Sequence, residues 1–573
     1  MPENFYLDNP DIRFHLQNVG LDKIVGMREE DYSEQERFPE APEDFEDALD
    51  TYDKVLEIVG EITGDLIAPR AEDVDLDGAT LENGKVTYAP GTQKNLENLT
   101  QAELMGVTLP RQYGGLNMPT TTYSMMNEMV SRADGSLQNL FGLQDIGETV
   151  YRFGDESQRE RYLPRFASGE SDGAMVLTEP EAGSDLQAVQ LKARYDEETD
   201  TWYLNGMKRF ITNGCARLLL VLARSEEGTK DGRGLSMFIC ESGPKLVVRR
   251  IENKLGIHGS PTCELQFNDV PAELIGLRRR GLTRYVMSLM NGARVAISAQ
   301  ALGIAEAAYR EALKYAKERE QFEKAIIQFP AVYEMLVRSK TKIMAARALL
   351  YFTTKEVDLR DCYEDINRDA DRVSAETRKL EKYHTRIAAV LTPLAKAYCT
   401  EIGNQVTYDT IQIHGGTGFM KDFPAERLAR DVRITNIYEG TTQLQYVAAI
   451  GGIIRRVLDP IMDEFAALPY EGMLRRLVNT VNEAREKLLK AVQMVEEKRD
   501  SEYHDLMAGR LCEMQTIVLN SYLLLRDALK DKQREALVRR YVLDFMPILN
   551  AFYEVVISDD YSMIDEHEQV MEL

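Results

Sequence analysis

The chain has 573 residues, a net charge of −25 and six cysteines. This length exceeds what one hydrophobic core normally uses, so several structural units are expected. The negative charge disfavours nucleic acid and anionic lipid as partners, and the scattered cysteines show neither the spacing of a zinc site nor a disulfide framework.

The first residues do not resemble a targeting segment. They lack both a basic stretch followed by an apolar run and an Arg-rich, acid-poor composition, and no run in the chain approaches the roughly 18 apolar residues of a membrane span. A cytoplasmic protein without membrane association is therefore expected. Residues 29–50 are rich in Asp and Glu and contain Pro39 and Pro42, which predicts an exposed connector ending an N-terminal extension over 1–50.

Helical periodicity follows this acidic stretch. Apolar residues recur at helical spacing over 45–67, 100–105 and 123–153, which predicts an N-terminal helical domain over 51–171.

The pattern then changes to short β-rich runs such as TWYLNG and LSMFICE, separated by Gly, Pro, Asn and Asp. This pattern predicts a middle β domain over 172–281. Helical periodicity returns strongly at 294–320, which predicts a second helical domain over 282–455. Residues 456–573 are again helical, with charge at their exposed positions. The expected fold class is therefore α+β.

Three separated segments carry a family resemblance. LTEPEAGSD (177–185), QIHGGTGF (412–419) and IYEGTTQLQ (437–445) resemble, in this order and spacing, the signature segments of acyl-CoA dehydrogenases. The resemblance covers about residues 100–455. The additional C-terminal helices are similar to those of the long subgroup that includes very-long-chain and methylthiopropanoyl-CoA dehydrogenases.

This resemblance implies a specific architecture and cofactor. An N-terminal helical domain, a central β-barrel-like domain and a helical bundle would be followed by an additional C-terminal helical domain. No GxGxxG motif follows a strand, so FAD is implied by the family resemblance and not by a nucleotide-binding motif. In such an enzyme the protein supplies binding, orientation and electrostatics, and the flavin accepts the hydride.

The resemblance identifies Glu439 as the catalytic base. Removal of an α proton from a thioester needs a positioned base and hydrogen-bond donors for the developing enolate oxygen. Some relatives carry the base on the helix that opens the second helical domain, but that place matches Ala293 or its neighbour, and alanine cannot accept a proton. Tyr438 and Gly440 are expected to contact substrate. An isolated Glu-Gly pair would instead indicate a solvated loop carboxylate.

Further substrate contacts are implied at Gly183, Ser184 and Arg294. Taken alone, PEAGSD would be a turn, and Arg294 would be a surface ion-pair residue. Gln144 and Asp145 lie in a helix that resembles the one lining the acyl channel, which hints at a short or polar acyl group. Exposure of both residues on the surface is the alternative, and the acyl chain itself is left open.

The implied flavin contacts lie in segments that depart from the family pattern at three positions. The cofactor-binding positions are Leu177, Thr178, Phe210, Thr212, Arg319, Phe322, Gln412, Gly415, Gly416, Thr441 and Gln443. Phe210 stands where many relatives have tryptophan, and a buried core Phe is the alternative. Arg319, Phe322, Gln412 and the two glycines match an intersubunit FAD site. Glu323 stands where glycine is usual and Pro330 where glutamine is common, which weakens this cross-subunit match.

The histidines and the single tryptophan suggest structural roles. His258 and His414 have no evident carboxylate or cysteine partner in the sequence, so hydrogen-bonding roles are expected for both. Trp202 lies in a β-rich run and is expected in the core. No metal site is predicted.

The retained glutamate favours α,β-dehydrogenation of an acyl-CoA to a trans-2-enoyl-CoA, with electrons passed to electron-transfer flavoprotein. An acyl-CoA oxidase using oxygen is one alternative, and a non-catalytic scaffold protein with the same fold is another. The C-terminal helices would cover a helical face in a dimer and compensate for contacts that other relatives make in a tetramer, so a homodimer is the expected oligomer. A membrane-surface or partner-docking element is the alternative role for these helices.

Overall fold

The computed structural model describes residues 3–369 and 373–573. These residues form two compact units. The first unit runs to Ala307 and includes Met420–Thr435, whereas the second comprises Ala308–Phe419 and Asn436–Leu573.

The first unit begins with helices, as the periodicity predicts. Asp44 caps the long helix α3 by accepting a hydrogen bond of 2.9 Å from the backbone N–H of Asp47, which satisfies a donor that the helix leaves unpaired. The elements of this part are α1 (Pro10–Asn18), α2 (Asp22–Arg28), α3 (Phe45–Glu61), α4 (Ala71–Asp77), β1 (Thr80–Glu82), β2 (Lys85–Thr87), α5 (Pro90–Gln101), α6 (Thr120–Ala133), α7 (Gly135–Phe141), α8 (Asp145–Phe153) and α9 (Glu156–Ala167).

Two expectations for this region are wrong. The helix predicted over 100–105 does not form, because α5 ends at Gln101 and Glu103 takes a left-handed φ of 57°. The acidic stretch is not exposed at its start, because the carboxylate of Glu29 is fully buried and accepts two hydrogen bonds, of 2.6 and 3.0 Å, from Arg111. Burial of that charge is compensated by the bidentate pair.

The middle of the chain forms a closed sheet. Strand β6 pairs with β4 and β7, and the order β6–β4–β5–β9–β7 returns to β6, while β3 adds to β6 and β8 adds to β9. This closure removes the edges of a barrel-like sheet. The strands are β3 (Gly173–Val176), β4 (Lys192–Asp196), β5 (Thr201–Thr212), β6 (Leu218–Arg224), β7 (Leu235–Glu241), β8 (Leu246–Ile251) and β9 (Thr262–Ile275).

Strand β6 is buried on both faces, which explains its uninterrupted apolar sequence LLLVLA. Alternate side chains point to opposite faces of a strand. Leu219, Val221 and Ala223 pack in the cluster that contains Phe238 and Phe267. Leu218, Leu220 and Leu222 point to the other face of β6 and pack with helical residues that include Tyr162, Leu163 and Phe166. The barrel therefore has an inner core and a second core beneath the helices.

The first unit ends within a long helix, and the second unit is almost entirely helical. The remaining elements are α10 (Met287–Glu318), β10 (Glu320–Gln321), β11 (Lys324–Ala325), α11 (Pro330–Asp369), α12 (Ala375–His414), α13 (Ala425–Val432), α14 (Thr442–Ile454), α15 (Asp459–Ala466), α16 (Gly472–Lys498), α17 (Ser501–Lys530), α18 (Glu535–Ile557) and α19 (Ser562–Met571). Of these, α13 belongs to the first unit. In the second unit α11 and α12 pack along one another, α14 packs on α12 and α17, and α16, α17 and α18 pack together.

The order of helices, barrel, helical bundle and further C-terminal helices confirms the predicted α+β class. Within the described ranges, no single helix has the length and apolar composition of a membrane span. One pair of helical segments, Lys532–Ile557 and Ser562–Met571, meets those criteria jointly but is bent by 94°.

Candidate active site

The segment that begins at Leu177 is fixed to the barrel by a buried lysine. The Lys208 ammonium donates to the Leu177 carbonyl at 2.6 Å and lies 3.0 Å from Glu179 Oε1. Burial lowers the pKa of Lys208 to about 8, while Glu179 acts in the opposite direction. Glu179 also accepts the backbone N–H groups of Gln190 and Leu191, at 2.7 and 2.9 Å. The backbone at Leu177 is therefore tightly fixed.

The next residues extend from this anchor toward the surface. The Thr178 carbonyl accepts the backbone N–H of Arg209 at 3.0 Å, and the Thr178 side chain is partly exposed. Gly183 and Ser184 are exposed in the turn that follows. The structure thus places the predicted flavin-side and substrate-side residues of this motif on one short, anchored segment.

Phe210 lies at a bulge in β5 that turns its side chain toward solvent, so it is not a core residue. The register between β5 and β9 shifts between Lys208 and Ile211, and Phe210 takes a left-handed φ of 61°. Bulges of this kind redirect a side chain. The Phe210 ring is 52% exposed, with the Arg209 guanidinium 4.6 Å from its centroid. Thr212 follows in the ladder and is partly exposed.

Arg294, on α10, is buried and is not a surface ion-pair residue. Its Nη1 donates to Asn291 Oδ1 at 3.2 Å. A Cβ placed on the nearby Gly292 would lie 3.2 Å from Asp145 Oδ2, so this carboxyl group approaches the same turn of α10. Burial raises the pKa of Asp145 well above its ordinary value, Glu148 adds to the rise and Arg152 opposes it.

The Gln144 side chain is bound to the loop that precedes α6. Its side-chain oxygen accepts the Gly106 N–H at 2.5 Å, and its amide nitrogen donates to the Leu104 carbonyl at 3.3 Å. Gln144 is buried and fixes the preceding loop. Surface exposure, the alternative considered for both residues, is therefore wrong for Gln144, whereas Asp145 is partly exposed and its carboxyl group approaches α10.

In the second unit, Glu439 lies in a loop whose backbone has an unusual conformation. Glu439 has φ 54° and Gly440 has φ 90°. Glycine adopts positive φ readily, but a glutamate does so at an energetic cost and only where its surroundings impose it. Tyr438, Glu439 and Gly440 are all partly buried. Such strained backbone is enriched at functional sites.

The constraints on this loop come from α12 and α14. The Lys396 ammonium, on the fully buried side of α12, donates to the Gly440 carbonyl at 2.7 Å. Gln445, on α14, donates to the carbonyls of Glu439 and Gly440 at 3.2 and 2.8 Å. The carbonyl groups of Glu439 and of the residue that follows it are therefore fixed.

The two ends of the same loop are joined by a carboxylate. Glu401 Oε1, on α12, accepts hydrogen bonds from Asn436 at 3.0 Å and from Thr442 at 2.5 Å. Thr441 caps α14 by accepting the Leu444 N–H at 3.4 Å, and Gln443 is exposed in the first turn. Sequence reasoning missed Lys396, Glu401 and Gln445. The available signal was a single lysine within the apolar run LTPLAKAYC.

The glycine loop after α12 is open. Helix α12 ends at His414, Gly415 has φ 64°, and a Cβ on Gly415 or Gly416 would meet no atom within 4 Å. Gln412 is exposed beside this loop. The backbone there is accessible to a ligand without side-chain interference.

Both histidines have carboxylate partners, which the sequence did not reveal. His414 Nε2 lies 3.7 Å from Glu311, and its ring stacks on Tyr315 at 4.2 Å. The neighbouring His414 ring lowers the pKa of Glu311, and burial opposes this effect. His258 Nδ1 lies 2.8 Å from Asp75. Both histidines thus hold neighbouring elements, as expected for structural roles.

The departures from the family pattern at Glu323 and Pro330 have local explanations. Strands β10 and β11 form a hairpin whose two turn residues, Phe322 and Glu323, have φ of 52° and 66°. This is the turn type that favours glycine at its second position, so Glu323 occupies it with strain. Phe322 is 87% exposed at the tip, and Arg319 is exposed just before the hairpin. Pro330 is the first residue of α11, a position that proline favours.

Replacing Glu323 by glycine is expected to stabilise the protein by about 1 kcal/mol, because glycine removes the steric cost of the left-handed conformation. The increase would be measured as a higher thermal midpoint. Glu320→Gly, in the adjoining strand, is the matched control and is expected to destabilise. An unchanged or lower midpoint for Glu323→Gly would contradict the strain argument.

Family models match four consecutive parts of the chain. The model described as acyl-CoA dehydrogenase, N-terminal domain, matches residues 50–170, the middle-domain model matches 174–270, and the C-terminal-domain model matches 280–450. A further model, described as acyl-CoA dehydrogenase C terminal, matches 458–539.

Individual relatives agree with these models. The chain is 32% identical over 450 residues to 3-methylmercaptopropionyl-CoA dehydrogenase of Ruegeria pomeroyi, covering 72% of this chain and 73% of that protein. It is 34% identical over 368 residues to an NADH-dependent acryloyl-CoA reductase of Anaerotignum propionicum, covering 63% of this chain and 87% of that protein.

Solved structures share the fold. A chain from a structure described as electron transferring flavoprotein of Acidaminococcus fermentans matches with a TM-score of 0.60 at 32% identity, covering 70% of this chain and 98% of its own. An acyl-CoA dehydrogenase from Bacillus anthracis in complex with FAD matches with a TM-score of 0.75 at 23% identity, covering 89% of this chain and 88% of its own.

Proposed function

The chain belongs to the acyl-CoA dehydrogenase family, an oxidoreductase family that acts on CH–CH groups, and from this premise we propose that it converts an acyl-CoA to the trans-2-enoyl-CoA with Glu439 as base and FAD as cofactor. The observation that carries the proposal is the fixed, left-handed backbone at Glu439. A carboxylate held in this way fits the positioning that proton abstraction requires.

The residues at the proposed cofactor positions fit FAD. The exposed Phe210 ring offers an aromatic face against which a flavin ring can stack. The anchored backbone at Leu177 and the Thr178 hydroxyl group suit the polar edge of a flavin. The open backbone at Gly415 and Gly416 suits a phosphate-bearing ligand. A bound flavin would accept the hydride that leaves the substrate β carbon.

Additional cofactor contacts are proposed at Thr212, Arg319, Phe322, Gln412, Thr441 and Gln443. Thr441 is supported by its place at the N-terminus of α14, where the helix dipole favours electron-rich groups. Phe322 and Arg319 are supported by their exposure on and beside the β10–β11 hairpin.

The proposed chemistry at the protein side is a single proton transfer. Glu439 takes the α proton on a carboxylate oxygen, the electrons of that C–H bond form the α,β double bond, and hydride leaves the β carbon. The backbone N–H of Glu439 would donate to the thioester oxygen, which gains negative charge as the proton leaves. Tyr438, Gly440, Gly183, Ser184 and Arg294 are proposed as substrate contacts.

Anaerobic mixing of the FAD-loaded protein with a panel of acyl-CoAs tests this function. We expect bleaching of the oxidised flavin absorbance by at least one class of acyl chain, with the enoyl-CoA as product. Panel members of differing length, branching and polarity identify the substrate. If no thioester bleaches a fully loaded flavin, the dehydrogenase proposal is wrong, and the scaffold alternative gains support.

Electron-transfer flavoprotein is the proposed electron acceptor. The likeness of this fold to a chain from a structure described as that carrier supports the choice. Stopped-flow mixing of the substrate-reduced enzyme with either electron-transfer flavoprotein or air distinguishes it from an oxidase, because fast reoxidation by air alone would favour oxygen. Mixing chemically reduced enzyme with the enoyl-CoA measures the reverse direction.

We also propose a homodimer. Phe322 is 87% exposed and Phe419 is 77% exposed, and both lie in segments that resemble an intersubunit cofactor site. A second copy of the chain that packed on these segments would remove both apolar side chains from water. A monomer mass in sedimentation at micromolar concentration would contradict the dimer.

A further inference from the structure

The C-terminal extension, residues 456–573, contacts α14, the helix that follows the loop containing Glu439. Tyr446, on α14, donates its hydroxyl hydrogen to Glu513 Oε1, on α17, at 2.5 Å. The Cys512 thiol lies 3.7 Å from the Tyr446 carbonyl oxygen. A Cβ placed on Gly509 would lie 3.3 Å from the Tyr446 ring, so the two helices meet closely at this point. The contact therefore combines packing with a directed hydrogen bond.

The contact at Tyr446 is one residue along α14 from Gln445, which holds the loop containing Glu439. Gln445 precedes Tyr446 in α14 and donates to the carbonyls of Glu439 and Gly440. Thr442, in the first turn of the same helix, donates to Glu401. Because α14 is a regular helix, a shift of Tyr446 relative to α17 displaces Gln445 and the start of the helix with it.

The charges at this contact are costly to bury. Burial raises the pKa of Glu513, the Tyr446 hydrogen bond opposes the rise, and Glu401 adds to it. Burial and Glu513 raise the pKa of Tyr446, so its hydroxyl group stays protonated and remains a donor. An acid group in this environment contributes little stability compared with an apolar side chain. The directed hydrogen bond between Glu513 and Tyr446 gives a physical reason for the presence of this acid group.

We propose that Glu513 and Tyr446 are positioning residues through which the C-terminal extension fixes α14 and, through Gln445, the backbone of Glu439. The inference rests on the proposed role of Glu439 as base. It gives the extension a function in the reaction: it holds the loop in the left-handed conformation that directs the carboxylate.

Tyr446→Phe tests this inference in the full-length, FAD-loaded enzyme. We expect kcat to fall by about tenfold, equivalent to about 1.4 kcal/mol, while KM changes less than about twofold and flavin content is retained. Backbone amide exchange of residues 436–442 is expected to become faster. Glu513→Gln keeps an oxygen acceptor for the hydroxyl group and is expected to retain most of the wild-type kcat.

Tyr522→Phe is the matched control. Tyr522 is also a buried tyrosine of the extension, and its hydroxyl group donates to Asn482 Oδ1 on α16 at 2.6 Å, a contact within the extension itself. We expect this variant to lose a similar amount of thermal stability without a change in kcat or in loop exchange. Equal losses of kcat in both variants would reduce the Tyr446 contact to general stabilisation and overturn the inference.

The two proposals fail in different ways. If the wild-type enzyme does not react with any acyl-CoA, the proposed function fails, whereas the exchange of residues 436–442 still reports whether Tyr446 holds the loop. If the wild-type enzyme reacts and Tyr446→Phe matches it in both kcat and loop exchange, the positioning role is wrong and the proposed function is unaffected.

Discussion

Replacing Glu439 by glutamine is expected to lower the rate of flavin reduction by acyl-CoA by about a thousandfold, a loss of about 4 kcal/mol of transition-state stabilisation. Glutamine has nearly the same volume but cannot accept the α proton. The loop should keep its conformation, because Lys396 and Gln445 bind main-chain carbonyls, which the substitution leaves in place. Flavin content and substrate affinity are therefore expected to remain close to wild type. Single-turnover bleaching under anaerobic conditions measures the rate.

Glu439→Asp is the control for this experiment. It keeps the carboxylate but withdraws it by one methylene group, so we expect a loss of about a hundredfold from misplacement of the base. The order wild type, Asp, Gln separates the chemical role from a structural one. If Glu439→Gln reduces flavin at the wild-type rate with its cofactor bound, another group is the base, and the proposed mechanism must be abandoned.

The architecture could be predicted because its determinants are local. The continuous apolar run of β6 and the alternating runs beside it require a sheet with buried faces, and the sheet forms. The helical periods before and after the barrel also appear as helices. The error at residues 100–105 arose because apolar periodicity does not detect a left-handed residue such as Glu103.

The site residues were harder to predict because their environment is set by distant segments. The sequence around Lys396 looks like an apolar helix with one solvated lysine, and only tertiary packing shows that its ammonium group meets the Gly440 carbonyl. Glu29 likewise reads as part of a solvated acidic stretch until Arg111, 82 residues away, is seen to pair with it. Charged residues that act through long-range pairs leave no periodic signal in the chain.

Phe210 is a residue whose exposure, and not its burial, could not be predicted from the sequence. A phenylalanine in a β-rich run is most often buried, and the sequence left core packing open as the alternative. The register shift in β5 turns its ring outward. Bulges depend on how two strands pair, so one strand alone does not reveal them.

Replacing Lys208 by methionine is expected to destabilise the barrel by about 3–5 kcal/mol and to weaken retention of FAD. Lys208 is completely buried, and its removal leaves Glu179 as an unpaired buried carboxylate and the Leu177 carbonyl without its donor. The single tryptophan, Trp202, lies in the same strand and packs against Phe238. Its fluorescence therefore reports urea unfolding of the barrel specifically.

Two further variants determine whether the loss comes from the buried pair. Lys245→Met removes an exposed lysine of the same domain, and we expect a change within about 0.5 kcal/mol. The double variant Lys208→Met with Glu179→Gln removes both charges together and is expected to recover part of the stability, because an unpaired buried charge costs more than the absence of the pair. Recovery of FAD retention in the double variant would follow from restored packing beneath Leu177. If Lys208→Met unfolds at the wild-type urea concentration, Lys208 does not anchor this segment, and fixation of the flavin-side backbone must come from other contacts in the barrel.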